Sequence, residues 1–370
     1  MKKILLVNDF LEGGGVERLL WDFYEYFQKD YEISFCILYK PNKDIQRKYS
    51  KYKIIYAQKK EVNIHILGFL RNIENDIMKF ITLRLIELRK FDYILVMKEG
   101  HCMKFFENID CRNKFAWVHT DYYFNHWTKS VYSLEDSELD IMKKYKKIIC
   151  GSRSTMNSIN DILGNPGNLS LCYNPIKEDR IIALSLEVNR LKEEYAKNIV
   201  SFSSIGRLCD QKAYNRLIIV FHRLKLEGYL FKVNIIGDGE EYYKIKDKIK
   251  ELNLENDIIL HGAMDNPYPI IRKSDWYLCC SKWEAFGLTI QEAKILNIPI
   301  IITNMPAALE LFEVGIDGFV AENNIEGIYI TIKKVLDDTT IMEKIKTNQK
   351  HIVPYSERMD TICKLLKGDI

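Results

Sequence analysis

Short apolar runs alternate with longer amphipathic stretches along most of the chain. Residues 4–7, 33–38, 93–96, 114–118 and 147–150 are runs of strand length. Their apolar residues are mostly continuous, as in strands buried on both faces. Residues 16–28, 73–88 and 134–144 between them have helical spacing of apolar positions. The pattern then restarts, with strands expected at 199–205, 232–236, 258–261, 276–280 and 299–303. Helices are expected between them at 214–227, 241–252, 267–273 and 288–296. Such alternation predicts parallel sheets with helices on both faces, and two successive runs predict two doubly wound domains. The turn-forming Asn174-Pro175-Ile176, followed by the charged stretch 177–197, places the break after Tyr173. The expected domains are 1–173 and 174–350. Residues 351–370 then hold a last helix over 355–367, striped by Met359, Ile362 and Leu366.

Composition narrows the class. At 370 residues, with 47% hydrophobic and 28% charged residues, the chain suits two folded domains. No apolar run is long enough for a transmembrane helix. The start, Met1-Lys2-Lys3, resembles a signal peptide, but the following apolar run is too short and reads as a first strand. Nine cysteines without a Cys-x-x-Cys pair point to a reducing, cytoplasmic setting, with adjacent Cys279 and Cys280 as small buried residues. A net charge of +3 gives no argument for a nucleic-acid partner. Between Lys40 and Lys60, however, eight Lys or Arg stand against one acid, Asp44. That run is either a solvated face or a patch for an anionic membrane, which would make the protein peripheral on the inner face of the plasma membrane.

The candidate chemistry centres on Glu284-Ala-Phe-Gly-Leu-Thr-Ile-Gln-Glu292. Phe286, Gly287 and Leu288 read as a helix opening, continued by Thr289. Glu284 then precedes the helix, and Glu292 follows roughly 12 Å along its axis. The free N–H groups of the helix start lie between the carboxylates, a natural seat for a diphosphate. A sugar hydroxyl at one carboxylate and a ribose at the other would describe a nucleotide sugar. Taken alone, the pattern equally describes a surface helix with two solvated glutamates.

Other strand ends add to it. Glu12-Gly13-Gly14-Gly15-Val16-Glu17-Arg18 allows close backbone approach, but Arg18 breaks the dinucleotide-binding pattern. Gly206-Arg207 with Lys212 follows another strand, where an arginine fork and a mobile lysine can neutralise a diphosphate. Gly237-Asp238-Gly239 and His261-Gly262 end the next two. His119, beside Asp121, ends a strand of the first domain, where it can contact a sugar hydroxyl or serve structurally.

Together, Gly14-Gly15-Val16-Glu17, His119, Asn174-Pro175-Ile176, Gly206-Arg207 with Lys212, Gly237-Asp238-Gly239 and Glu284 to Ala293 resemble the retaining family 4 glycosyltransferases. The similarity runs over nearly the whole chain and is strongest over 199–320. It implies the GT-B fold, two facing Rossmann-like domains with a deep interdomain cleft. It also implies that Arg207 and Lys212 bind the donor diphosphate, Glu284 the sugar hydroxyls and Glu292 the ribose. His119 would face the transferred sugar, and Gly14 and Gly15 the phosphates or the acceptor. The last helix would cross back onto the first domain. One departure is Pro306-Ala307-Ala308, where many relatives carry glycines.

The expected activity is transfer of a hexose from a nucleotide sugar, a UDP sugar, to a glycan or lipid-linked glycan in bacterial surface-polysaccharide assembly. Catalytic roles are expected for His119, Arg207, Lys212 and Glu284. Donor contacts are expected from Gly14, Gly15, Gly206, Gly237, His261, Phe286, Gly287, Leu288, Thr289 and Glu292. Cationic side chains and helix N–H groups would stabilise the leaving diphosphate, so neither a metal nor another cofactor is expected. Two alternatives are a nucleotide-sugar 2-epimerase and a non-catalytic nucleotide-sugar-binding subunit.

Overall fold

The computed structural model describes residues 1–11, 14–59, 65–132, 137–187, 199–348 and 353–369. They form two compact units. One comprises Met1–Pro175 with Arg358–Ile370, the other Ile176–Glu357.

The first unit is built on seven strands: β1 (Lys2–Asn8), β2 (Tyr31–Lys40), β3 (Ile54–Lys59), β4 (Tyr93–Val96), β5 (Lys114–Val118), β6 (Lys147–Cys150) and β7 (Leu169–Leu171). Every pairing is parallel, in the order β3-β2-β1-β4-β5-β6-β7. Its helices are α1 (Gly15–Phe27), α2 (Lys43–Lys48), α3 (His65–Arg89), α4 (His101–Phe106), α5 (Glu138–Lys143) and α6 (Arg153–Leu163). Leu5, Val7, Ile94, Val96, Ala116 and Ile148 share one core with Phe106 and Ile86. On α1, Phe23 meets Trp117 edge-on, with ring centroids 5.2 Å apart.

The second unit has six strands: β8 (Val200–Ile205), β9 (Phe231–Ile236), β10 (Ile258–Leu260), β11 (Trp276–Cys279), β12 (Ile300–Thr303) and β13 (Gly318–Ala321). They are also all parallel, in the order β10-β9-β8-β11-β12-β13. Its helices are α7 (Glu178–Ser185), α8 (Tyr214–Leu226), α9 (Tyr242–Glu251), α10 (Tyr268–Lys273), α11 (Leu288–Ile295), α12 (Pro306–Leu309), α13 (Ile325–Asp337) and α14 (Thr340–Asn348). Phe202, Phe221, Val233, Ile235, Trp276, Leu278 and Ile332 lie together in its core.

The last helix, α15 (Tyr355–Lys367), begins in the second unit and continues in the first. Tyr355 N–H donates to Glu178 Oε1 at 3.1 Å. Three residues on, Arg358 Nη1 donates to the Asn174 carbonyl at 2.7 Å, and Met359, Ile362 and Leu366 are buried. The chain divides after Pro175, two residues beyond the expected break.

The predicted strands all form, with ends shifted by a residue or two. Three strands went unread. β3 lies inside the lysine-rich run, whose charge masked Ile54-Ile55-Tyr56-Ala57. β7 and β13 are short, and β13 opens on Gly318. The charged stretch expected as a linker begins as helix α7; residues 188–197 of it lie outside the described residues, as do Gly13, Lys60 and the start of the helix expected over 134–144. The cationic run is also less free than its sequence suggests. Lys53 pairs with Glu32 at 2.9 Å, and the Lys48 and Lys51 ammonium groups sit over the Tyr49 and Tyr52 rings.

Gly318 anchors β13 to its neighbour. Its φ is +150°, and an added Cβ would stand 1.7 Å from the Ile300 carbonyl oxygen. Gly318→Ala is therefore expected to destabilise the second unit by about 1–3 kcal/mol, the usual cost of forcing an extra group into a packed site. Urea denaturation of the variant beside wild type measures this.

Candidate active site

In the second sheet, the chain turns from one side of β8 to the other, so the loops leaving β8 and β11 part at their carboxyl ends. Open α/β sheets take ligands at such a point. The β8 loop carries Gly206, Arg207 and Lys212, and the β11 loop carries Ser281 and Glu284. Lys212 Nζ lies 2.6 Å from Glu284 Oε1, and Ser281 Oγ donates to the same oxygen at 2.7 Å. The two loops are also tied through their backbones. Lys282 N–H donates to the Gln211 carbonyl at 2.7 Å, and Gln211 Nε2 donates to the Trp283 carbonyl at 2.9 Å.

The sequence reading assigned Lys212 and Glu284 to different parts of a ligand; here they meet each other. Glu284 is only 8% exposed. Burial pulls the Lys212 ammonium down, but the adjacent Glu284 carboxylate outweighs it and raises the group above an ordinary lysine. The Lys212 ammonium is therefore charged at neutral pH. Arg207 is exposed in the same loop.

Glycine is required where these turns touch. A Cβ on Gly237, at φ +144°, would come within 2.0 Å of the Gly206 carbonyl oxygen. One on Gly206 would press on Lys212 Cε at 3.0 Å. Gly237 N–H donates to the Gly262 carbonyl at 2.8 Å, which joins the next strand end. His261 has Nε2 within 2.9 Å of Asn234 Oδ1, so that ring nitrogen is already engaged.

Helix α11 opens where expected. Gly287 caps it at φ +77°, and Phe286 before it is buried. The first intrahelical bonds come from Ile290 and Gln291 N–H to the Gly287 carbonyl, at 3.0 and 3.3 Å. The N–H groups of Leu288 and Thr289 thus lie ahead of the ladder, at the positive end of the helix dipole. Glu292 is 4% exposed, and Tyr268 Oη donates to its Oε1 at 3.2 Å. Both glutamates of the motif are buried and bonded, which removes the reading as a solvated surface helix.

The first sheet turns in the same way, between β1 and β4. Asp9 and Lys98 form an ion pair there. Glu99, which sequence reasoning missed, is 2% exposed and organises the β5 end. Its Oε2 accepts from His119 N–H at 3.0 Å. Its Oε1 accepts from Thr120 Oγ1 at 2.6 Å and Trp127 Nε1 at 3.2 Å. The signal was present: an acid and a glycine, Glu99-Gly100, stand in the loop after an apolar strand, with two residues between. His119 Nε2 is buried with no hydrogen-bond partner among the described residues, and burial lowers its pKa. Its imidazole is therefore neutral at pH 7. Asp121, expected beside His119, instead accepts from Ser154 Oγ and from Tyr123 N–H. Gly14 and Gly15 are exposed at the start of α1, with Gly14 at φ +113°. Glu17 turns inward to Tyr49 Oη at 2.9 Å and Trp21 Nε1 at 3.2 Å.

Residues 188–352 match the family described as glycosyl transferases group 1. Over 129 residues it is 36% identical to an uncharacterized glycosyltransferase of Methanocaldococcus jannaschii, covering 34% of this chain and 31% of the relative. Over 203 residues it is 27% identical to N-acetylgalactosamine-N,N'-diacetylbacillosaminyl-diphospho-undecaprenol 4-alpha-N-acetylgalactosaminyltransferase of Campylobacter jejuni, covering 53% of each. The chain spans about half the length of the curated relatives it matches. Among solved structures, Anabaena Alr3699/HepE in complex with UDP-glucose superposes with a TM-score of 0.78 at 16% identity, covering 100% of both chains. The two parallel α/β sheets are those of the GT-B fold. Within the matched residues lie Arg207, Lys212, Glu284 and Glu292; His119 and Glu99 belong to the first unit.

Glu99→Ala would leave the His119 N–H and the Thr120 hydroxyl without this acceptor, while the Trp127 indole keeps Thr120 Oγ1 at 3.2 Å. Each donor stranded away from water costs about 1–3 kcal/mol. The first unit should lose several degrees in thermal melting, and Trp127 fluorescence should change before the main transition.

Proposed function

We propose that this protein is a retaining glycosyltransferase that moves a hexose from a nucleotide sugar, a UDP sugar, to a glycan or lipid-linked glycan acceptor. The observation that carries the reading is the Lys212–Glu284–Ser281 cluster, on a loop that also carries Arg207, at the switch point of the second sheet. In this reading the donor replaces the internal pairing. Its diphosphate takes Lys212 and Arg207, its sugar hydroxyls take Glu284, and its ribose takes Glu292.

Catalysis is then positioning and electrostatics, because the diphosphate is already a good leaving group. Arg207, Lys212 and the N–H end of α11 hold the charge that grows on it. The acceptor hydroxyl attacks from the face the diphosphate leaves, and its proton passes to the departing phosphate oxygen. The strand-end site with His119 and Glu99 is assigned to the acceptor side. Being neutral, His119 orients or accepts a hydrogen bond and is not a charged partner for phosphate. No residue is assigned as proton-transferring base.

The acceptor class draws on relatives. The Campylobacter enzyme is named for an undecaprenol-linked acceptor, and a 25% identical Staphylococcus aureus relative is a capsular polysaccharide biosynthesis glycosyltransferase. Work at the cytoplasmic face of a bacterial membrane, in surface-polysaccharide assembly, is the corresponding setting. The bound UDP-glucose of the Anabaena structure supports the choice of donor.

A panel of nucleotide sugars, assayed for acceptor-dependent release of the nucleoside diphosphate, tests the reading. Interconversion of the sugar without an acceptor would favour an epimerase, and binding without turnover a non-catalytic subunit. Arg207→Ala and Lys212→Ala should each weaken nucleoside-diphosphate binding by about 1.5–3 kcal/mol, the worth of one charge-assisted contact. Glu284→Ala should abolish transfer while circular dichroism stays unchanged. Wild-type turnover in all three variants would reject the assignment.

The leaving-group chemistry has its own test. With fixed cations and helix N–H groups supplying the positive charge, activity should survive EDTA largely intact. Complete loss, restored by Mg²⁺ or Mn²⁺, would mean that a metal stabilises the diphosphate.

A further inference from the structure

Helix α3 has two apolar faces. Thr82 and Ile86 point inward, with Leu83 packed at the edge of the core. On the opposite side, Ile77, Phe80, Ile81, Leu85 and Leu88 are 54%, 61%, 50%, 41% and 77% exposed. Their spacing of three, four, seven and eight residues puts them in one stripe. A single exposed leucine is ordinary, whereas five contiguous large apolar side chains on one helix mark an interaction surface. Cations border the stripe. Arg84 lies within it, its guanidinium over the Phe80 ring at 5.5 Å, and exposed Arg89 and Lys90 follow its end. Of the nearby acids, Glu87 is paired with Arg84 at 3.0 Å, and Asp76 stands at the other end.

We infer that the outer face of α3 docks on an anionic phospholipid surface. The apolar stripe enters the headgroup–acyl boundary while Arg84, Arg89 and Lys90 contact lipid phosphates. A surface-lying amphipathic helix combines these features, with apolar side chains on one line and basic residues at its margins. The excess of cations over acids from Asp76 to Lys90 complements anionic lipid, whereas on a second copy of the same stripe it would meet like charge. No helix among the described residues is long and apolar enough to cross a membrane, so the contact is peripheral. This surface differs from the basic run at Lys40–Lys60, and it holds whether or not the protein transfers a sugar.

The test is co-sedimentation with phosphatidylglycerol–phosphatidylcholine vesicles, without donor or acceptor. Wild type should bind, and Phe80→Ser/Leu88→Ser should partition at least about tenfold more weakly, since each side chain gives up most of its apolar burial. Both positions are exposed, so the variant should melt like wild type and bind UDP like wild type. High salt should release wild type only in part, because apolar insertion is not screened. Lys48→Glu/Lys51→Glu should retain most vesicle binding. Equal binding by wild type and the Phe80/Leu88 variant would overturn the proposal, as would vesicle binding lost only in the Lys48/Lys51 variant. Concentration-dependent dimerisation that the Phe80/Leu88 variant abolishes, without vesicle binding by wild type, would assign the stripe to a second copy instead.

Discussion

A parallel sheet covered on both faces has nowhere to put polar chemistry except its ends. Here both sheets are of that kind, and their central strands are buried almost throughout. The burial that stabilises each unit therefore confines function to the loops beyond the carboxyl ends. Within those loops, the switch point selects the place, because only there do neighbouring connections run to opposite sides. Lys212 and Glu284 lie on the two loops that part in the second sheet, and Asp9 and Glu99 on the two that part in the first. The same constraint produces both sites.

Charges held there are costly to bury and are kept only with partners. Lys212, Glu284 and Ser281 satisfy one another, as Glu99 satisfies three donors at once. A glycine makes this closeness attainable: Gly237 lets two turns approach to a distance that any side chain there would block. Lys114 shows the same economy away from the sites. Among the described residues its buried ammonium has no ion pair, and it donates to the carbonyls of Phe106, Glu107 and Ile109 at and just after the end of α4. Desolvation brings its pKa down to about 8.

Most of this architecture was legible in the sequence because buried parallel strands write themselves as unbroken apolar runs. Ile4 to Val7 or Ile33 to Leu38 needed no context. The elements that escaped depend on neighbours: β3 is an edge strand set within the lysine-rich run, and β13 exists because β12 lies beside it. The site followed the same division. Residue types at strand ends were readable, so Arg207, Lys212 and Glu284 could be placed in advance on the loops after β8 and β11. Partnerships were not, since Lys212 and Glu284 are 72 positions apart and only folding brings them into contact. Glu99 was missed because a lone carboxylate gains meaning only from the three donors around it.

The second unit is, in chain order, an insertion within the first. Met1–Pro175 is joined by Arg358 and the residues that follow it. Arg358 closes on the Asn174 carbonyl, while Met359, Ile362, Leu365 and Leu366 fill positions in the first unit's interior. During synthesis the first unit emerges early but lacks this piece until the whole second unit has been made. Domains generally fold as units, N-terminal first. Here the earlier domain must wait with an open apolar groove while the later one is made and folds. The last helix thus acts as a completion seal, and a ribosome that stops short of Arg358 leaves behind a finished second domain and an unfinished first.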